Sequence, residues 1–157
     1  MKICLLVIGK TDAAYIRTGI EEYEKRLTRY VPHEMRALPD VKNSKNMPES
    51  LQKGKEGELI LGQLQAGDVV VLLDEKGNQF TSTGFSGYLA QKMQSGIKRL
   101  VFVIGGPYGF AEDVYKRAND KLSLSKMTFS HQMVRMIFVE FFYRAMTIMN
   151  GEPYHHE

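Results

Sequence analysis

One stretch concentrates the chemistry that this chain can offer. Leu100, Val101, Phe102, Val103 and Ile104 run straight into Gly105, Gly106, Pro107, Tyr108 and Gly109. An unbroken apolar run predicts a strand covered on both faces, as in parallel sheets flanked by helices. The glycines that follow remove the side chains that would keep a ligand away from the main chain, and Pro107 limits how far the turn flexes. Two other stretches have related character: Val69 to Leu73 ends in Asp74-Glu75-Lys76-Gly77, and Leu122 to Phe129 mixes apolar residues with hydroxyls. In an open parallel sheet, ligands bind beyond the carboxyl ends of strands, where both turns would lie. Such a cluster suits an adenosine-sized ligand held by backbone contacts and an apolar slot. A plain strand-to-helix turn without a ligand is the simpler reading of the same glycines.

Other ligand chemistries fit less well. Gly9-Lys10-Thr11 looks like the end of a phosphate-binding loop, but Cys4 stands where that pattern needs glycine. Gly105-Gly106-Pro107-Tyr108-Gly109 does not match the nicotinamide fingerprint, which also needs an acidic residue about 20 positions on. His131 and the terminal His155-His156-Glu157 invite a metal, but neighbouring histidines point apart in an extended chain and no zinc-binding pattern accompanies them. No metal is expected. Cys4, in an apolar strand, reads as a buried structural thiol. Arg144 follows Glu140 by one helical turn and is either half of a surface pair or a charge held at an active edge. Pro153-Tyr154-His155-His156 is aromatic and titratable, so a tail folded back over a site competes with the disorder usual for termini.

The elements that must position these residues follow from patterning. Ile3 to Ile8 reads as a first strand, and Thr11 or Asp12 as the cap of a helix whose Ile16, Ile20, Tyr23, Leu27 and Tyr30 share one face. His33 to Leu38 is a weaker strand. Pro48 opens a helix to about Gln65, in which Gly54, Gly57 and Gly62 predict fraying. After the strand from Val69, Ser82 or Thr83 caps a helix carrying Phe85, Leu89 and Met93. Ala111 to Asn119 is a short helix, Leu122 to Phe129 a last strand or extended loop, and Ser130 to Met149 the longest helix, closed by Asn150-Gly151. Alternating strands and helices give an α/β fold, a mainly parallel sheet with helices on both faces. The last helix carries Met133, Ile137, Phe138, Phe141, Phe142 and Met146 around more than one face. Either neighbouring helices cover it or a second copy does, and a homodimer through this helix is expected.

The bulk properties set limits. A chain of 157 residues fits a single domain spanning 1–157. Its 43% hydrophobic and 25% charged content excludes disorder as the main state. No run approaches the length of a membrane span, and the start has no cleavage site, so a cytoplasmic protein is expected. A net charge of +3 is compatible with nucleic acid without requiring it. Lys42, Lys45, Lys53 and Lys55 are offset by Glu49, Glu56 and Glu58 and read as solvated surface.

Taken together, Leu73-Asp74-Glu75-Lys76-Gly77, Phe102 to Gly109, Leu122 to Phe129 with His131 and Arg135, Tyr143-Arg144-Ala145 and Pro153-Tyr154-His155 resemble the ribosomal RNA large subunit methyltransferase H family, small members of the SPOUT class. The likeness spans the whole chain in length and motif order. It implies an S-adenosylmethionine-dependent enzyme that methylates N3 of a pseudouridine in 23S rRNA within the ribosome, acting as a homodimer. It also implies a C-terminal trefoil knot, which no periodicity here suggests. By motif, the cofactor contacts fall on Leu73, Gly105, Leu124, Ser125, Lys126, Met127, Thr128 and Phe129, and the catalytic edge on Arg144, Tyr154 and His155. A non-enzymatic dimeric module binding an adenosine nucleotide is the alternative from another class.

Overall fold

The computed structural model describes residues 1–42 and 44–156. In chain order the elements are β1 (Lys2–Ile8), α1 (Ala14–Leu27), β2 (His33–Leu38), α2 (Glu49–Gln63), β3 (Val69–Gln79), α3 (Ser82–Gln94), β4 (Arg99–Ile104), α4 (Glu112–Arg117), β5 (Asp120–Ser123) and α5 (Met133–Met149). The described strands form one five-stranded sheet in the order β2-β1-β4-β3-β5, parallel throughout.

The unbroken apolar runs are buried because both sheet faces are covered. Ile3, Leu5, Val7, Leu100 and Phe102 point to one side and pack with Ile16, Ile20, Phe85, Leu89, Phe138 and Phe142 from α1, α3 and α5. Cys4, Leu6, Ile8, Val101 and Val103 point to the other and pack with Ile60 and Val114 from α2 and α4. The two-residue period of a strand divides the run between two cores.

Several boundaries differ from the sequence reading. α1 starts after Ala13 with no side-chain cap; instead Arg17 Nη1 donates to the carbonyls of Thr11 and Asp12 at 2.9 and 2.7 Å. Thr81, not Ser82 or Thr83, caps α3, accepting from the Gly84 N–H. α2 is continuous despite its glycines, because Gly57 lets it approach Ala111 and Val114 closely, where an added Cβ would stand 3.0 Å from Ala111 Cβ. Tertiary packing outweighs propensity there. The last strand is short, Asp120–Ser123, and Leu124 to Phe129 is loop.

The sheet is interrupted once, at the edge where ligands bind such folds. β3 pairs with β5 through Leu73 opposite Leu122, then again through Asn78 opposite the same Leu122. Asp74 to Gly77 therefore bulge out, and β3 resumes beyond them. Gly77 lies on the β5 backbone: an added Cβ would be 2.6 Å from the Lys121 carbonyl carbon. Only glycine permits that approach.

The rich apolar surface of α5 is largely met within the chain, by the sheet and by α1 and α3. The stripe left open runs through Met133, Ile137, Glu140, Phe141, Arg144 and Ile148, with Phe141 37% exposed. No described helix is long and apolar enough to cross a membrane.

Candidate functional site

The ends of β3, β4 and β5 enclose a hollow of about 820 Å³. From β4 the chain passes β3 to reach β5, so the hollow opens where the direction of winding reverses. Three main-chain bends form it: Leu73 to Lys76 in the β3 bulge, Gly105 to Gly109 after β4, and the loop after β5 that leads to His131.

Each bend is held by local hydrogen bonds. In the glycine turn, the Gly109 N–H donates to the Gly106 carbonyl at 3.3 Å, with Gly109 at φ +80, a conformation that favours glycine. Gly105 is close-packed on Phe110, whose ring would stand 3.0 Å from an added Cβ. In the loop after β5, Ser123 Oγ donates to the Ser125 carbonyl at 3.0 Å, and Ser125 Oγ accepts from the Met127 N–H at 2.9 Å. In the β3 bulge, Asp74 accepts from the Lys76 N–H at 2.9 Å and from the Tyr115 hydroxyl. Burial, then the Asp74 carboxylate, push the Tyr115 phenol up to about 12, so it stays a donor at neutral pH.

The walls combine apolar and charged character. Leu73, Ile104, Leu122, Leu124 and Val134 provide the apolar surface, Glu49, Asp74 and Glu75 contribute carboxylates, and Lys76 and His131 also line it. Apolar surface beside a few polar and charged groups is the usual make-up of a small-molecule site. Met127, 78% exposed, and Tyr108, 41% exposed, stand at the rim.

Arg135 fixes the start of α5 beside this edge. It is 1% exposed and donates to the carbonyls of Ile8 at 2.6 Å, Gly9 at 2.9 Å and His131 at 3.1 Å, and to Thr11 Oγ1 at 3.1 Å. Burial lowers its pKa, while Asp12 and Asp40 act in the opposite direction.

Of the residues singled out in sequence, Leu73, Gly105, Leu124, Ser125, Met127, Thr128 and Phe129 line the hollow, and Lys126 does not. Tyr115, Val134 and Glu49 also line it. No spacing pattern marks these three, because α4, α5 and α2 reach the hollow only through the fold.

Arg144, Tyr154 and His155 form a second cluster elsewhere. Arg144 Nη1 lies 3.1 Å from His155 Nδ1, and its Nη2 donates to Glu140 Oε1 at 2.5 Å. The Tyr154 hydroxyl donates to the same Glu140 oxygen at 2.9 Å, and the Arg144 guanidinium lies 4.8 Å from the Tyr154 ring centre. The Glu140 hydrogen bond raises the Arg144 pKa. Burial first, then Tyr23 and Glu140, raise that of Tyr154.

The tail is tied down, not loose. Gly151, at φ +67, closes α5: its N–H donates to Ile148 and that of Glu152 to Thr147. Glu152 then takes hydrogen bonds from Tyr30 at 2.8 Å and Arg29 at 2.9 Å. Val134 lines the hollow and Arg144 follows ten residues later on the same helix, so the cluster stands about 15 Å further along α5. Within one chain the hollow and the cluster do not meet.

Comparison with known proteins agrees with this architecture. Residues 1–155 match the family model described as "Predicted SPOUT methyltransferase". Proteins named "Ribosomal RNA large subunit methyltransferase H" from Parabacteroides distasonis, Flavobacterium johnsoniae and Bacteroides thetaiotaomicron are 66%, 57% and 57% identical to it, each over 157 residues and the full length of both chains. A parallel sheet with a backbone-lined hollow at its carboxyl edge, and likeness from end to end, make this chain a member of the SPOUT methyltransferase family, alongside the ribosomal RNA large subunit methyltransferase H proteins.

Proposed function

We propose that this protein transfers a methyl group from S-adenosylmethionine to N3 of a pseudouridine in 23S rRNA, in the cytoplasm and on the assembled ribosome. The observation that carries this reading is the hollow, whose bends and carboxylates suit a cationic nucleoside, in a chain whose full-length relatives are named as ribosomal RNA methyltransferases. Leu73, Gly105 and the Leu124 to Phe129 loop would hold the cofactor, the loop chiefly through its backbone. When bound, it supplies a methyl group already activated on a sulfonium sulfur.

The protein's share is positioning and proton handling. Holding both partners in line can contribute roughly 7 to 11 kcal/mol. The N3 position of a uracil-type base still carries a proton. The base would displace His155 Nδ1 from Arg144, so that His155 takes that proton at Nδ1, Arg144 stabilises the resulting anion, and Tyr154 donates a hydrogen bond to the base.

The reaction needs the cluster at the mouth of the hollow, and one chain keeps them about 15 Å apart. We therefore propose a homodimer in which the open stripe of α5 packs antiparallel on its copy. Each tail cluster then faces the other subunit's hollow. The same reading includes a trefoil knot, which the family resemblance implies; in this chain β5 lies against the Asp74 to Gly77 bulge, with Gly77 on the backbone of Lys121 and Leu122.

Calorimetry against S-adenosylmethionine, S-adenosylhomocysteine, NAD and ATP, followed by mass spectrometry of rRNA from treated ribosomes, tests the proposal. The expected result is preference for the first two ligands and one methyl group at N3 of a pseudouridine. Preference for NAD or ATP would sink it and favour a nucleotide-binding module. Equal methylation of naked 23S rRNA would refute the requirement for the ribosome.

A further inference from the structure

Behind the glycine turn lies an acid that the proposed chemistry does not use. Glu56, on α2, is 3% exposed and does not line the hollow. Its carboxylate nevertheless lies directly on Gly106: a Cβ added at that glycine would stand 2.5 Å from each oxygen. Gln52 Nε2 donates to Glu56 Oε2 at 3.2 Å, whereas Oε1 is buried with no hydrogen-bond partner among the described residues. An orphaned carboxyl oxygen inside a core is costly and is not needed for packing, which glutamine or methionine would provide.

Other charged groups surround it from neighbouring elements. Asp40 faces it from the segment after β2 and His131 from the segment before α5. Asp40 is itself pressed on a glycine, Gly9 at the end of β1, where an added Cβ would be 2.4 Å from its Oδ1. Burial, with Asp40 adding to it, raises the Glu56 pKa above its ordinary value, while Gln52 and His131 act in the opposite direction.

We propose that Glu56 is a positioning residue for the hollow: it supports the Gly105 to Gly109 turn from behind, and gain or loss of its proton changes how tightly the turn holds a ligand. The protonated carboxyl is neutral and rests against Gly106 without requiring further donors. The ionised carboxylate requires them, and the segment packed on it carries the main-chain N–H groups of the turn. Drawing those groups toward Glu56 turns them away from the hollow. Glycine at 106 allows this contact, because any side chain there would displace the carboxylate.

The proposal rests on the hollow being the cofactor site, so its test has two arms. In the first, S-adenosylmethionine affinity is measured by calorimetry from about pH 4.5 to about pH 8.5 for the wild-type protein, Glu56→Gln and His131→Gln. Wild type should lose about threefold or more in affinity with rising pH, Glu56→Gln should be nearly flat, and His131→Gln should keep most of the slope. In the second, without ligand, the Gly105, Gly106 and Gly109 amide resonances are followed across the same range. They should move with the Glu56 side-chain carboxyl signal in wild type and stay still in Glu56→Gln, with Gly87 as a remote control. A wild-type affinity profile in Glu56→Gln, or turn amides that ignore the Glu56 titration, overturns the inference. If the wild-type protein binds no S-adenosylmethionine at all, the cofactor reading fails, and the amide titration alone decides the role of Glu56.

Discussion

Arg144 Nη1 and His155 Nδ1 are 3.1 Å apart, joining the last helix to the tail that follows it. Arginine only donates, so Nδ1 is the acceptor in this contact. The same guanidinium donates to Glu140, which also takes the Tyr154 hydroxyl. One carboxylate thus orients both the arginine and the tyrosine.

This arrangement predicts that Arg144→Ala and His155→Ala each slow methyl transfer by about 100-fold or more while leaving S-adenosylmethionine affinity within about twofold. Arg144→Lys should not rescue the rate, because one ammonium cannot serve Glu140 and His155 in the planar geometry of the guanidinium. Single-turnover rates at saturating cofactor, with calorimetry on each variant, check this. Near-normal rates in both alanine variants would remove these residues from the mechanism.

A substitution on the open stripe of α5 should separate binding from catalysis. Phe141→Glu places a charge where a second copy is proposed to pack, so sedimentation should show monomers. The variant should still bind S-adenosylmethionine, because Phe141 does not line the hollow, but it should lose methyl transfer. An active monomer would refute the composite site.

Two glycines should respond in opposite directions. Gly77→Ala drives a methyl group into the backbone of Lys121 and Leu122, which cannot step aside, and should cost about 1 to 3 kcal/mol or more while loosening the β3 bulge. Gly54→Ala, in the interior of α2 with nothing within 4 Å, should stabilise the protein by about 1 kcal/mol. Chemical denaturation of both variants measures the contrast.

The edge of the sheet carries a pH-dependent contribution. The Lys2 ammonium, bonded to Glu34 at 3.0 Å, holds that carboxyl below its usual range, with Arg36 adding to it. A lowered folded-state pKa stabilises the fold above the unfolded value near 4.5 and loses that effect as pH falls through the folded value. Because Lys2 is half exposed, Glu34→Gln should cost only about 0.5 kcal/mol at pH 7. The deficit should vanish in acid, as denaturation midpoints for both proteins across pH would show.

Much of the architecture was legible in the order of residues. Apolar runs at Ile3 to Ile8, Val69 to Leu73 and Leu100 to Ile104 signalled strands buried on both faces, because burial on two sides removes the polar alternation that a wetted face would need. The glycine-rich bends identified two of the segments that line the hollow. Local patterning also reads helix faces well, since neighbours three and four residues apart share a side whatever the rest of the chain does.

Long-range contact decided the rest. That Leu122 faces both Leu73 and Asn78, that Arg135 ends its reach on the carbonyls of Ile8 and Gly9, and that Glu56 lies on Gly106 depend on segments far apart in the chain. Side-chain type and spacing carry no record of which distant backbone will be met. The roughly 15 Å between hollow and tail cluster is of the same kind: the two groups of residues are separate in one chain, because a rigid helix fixes distance along its axis.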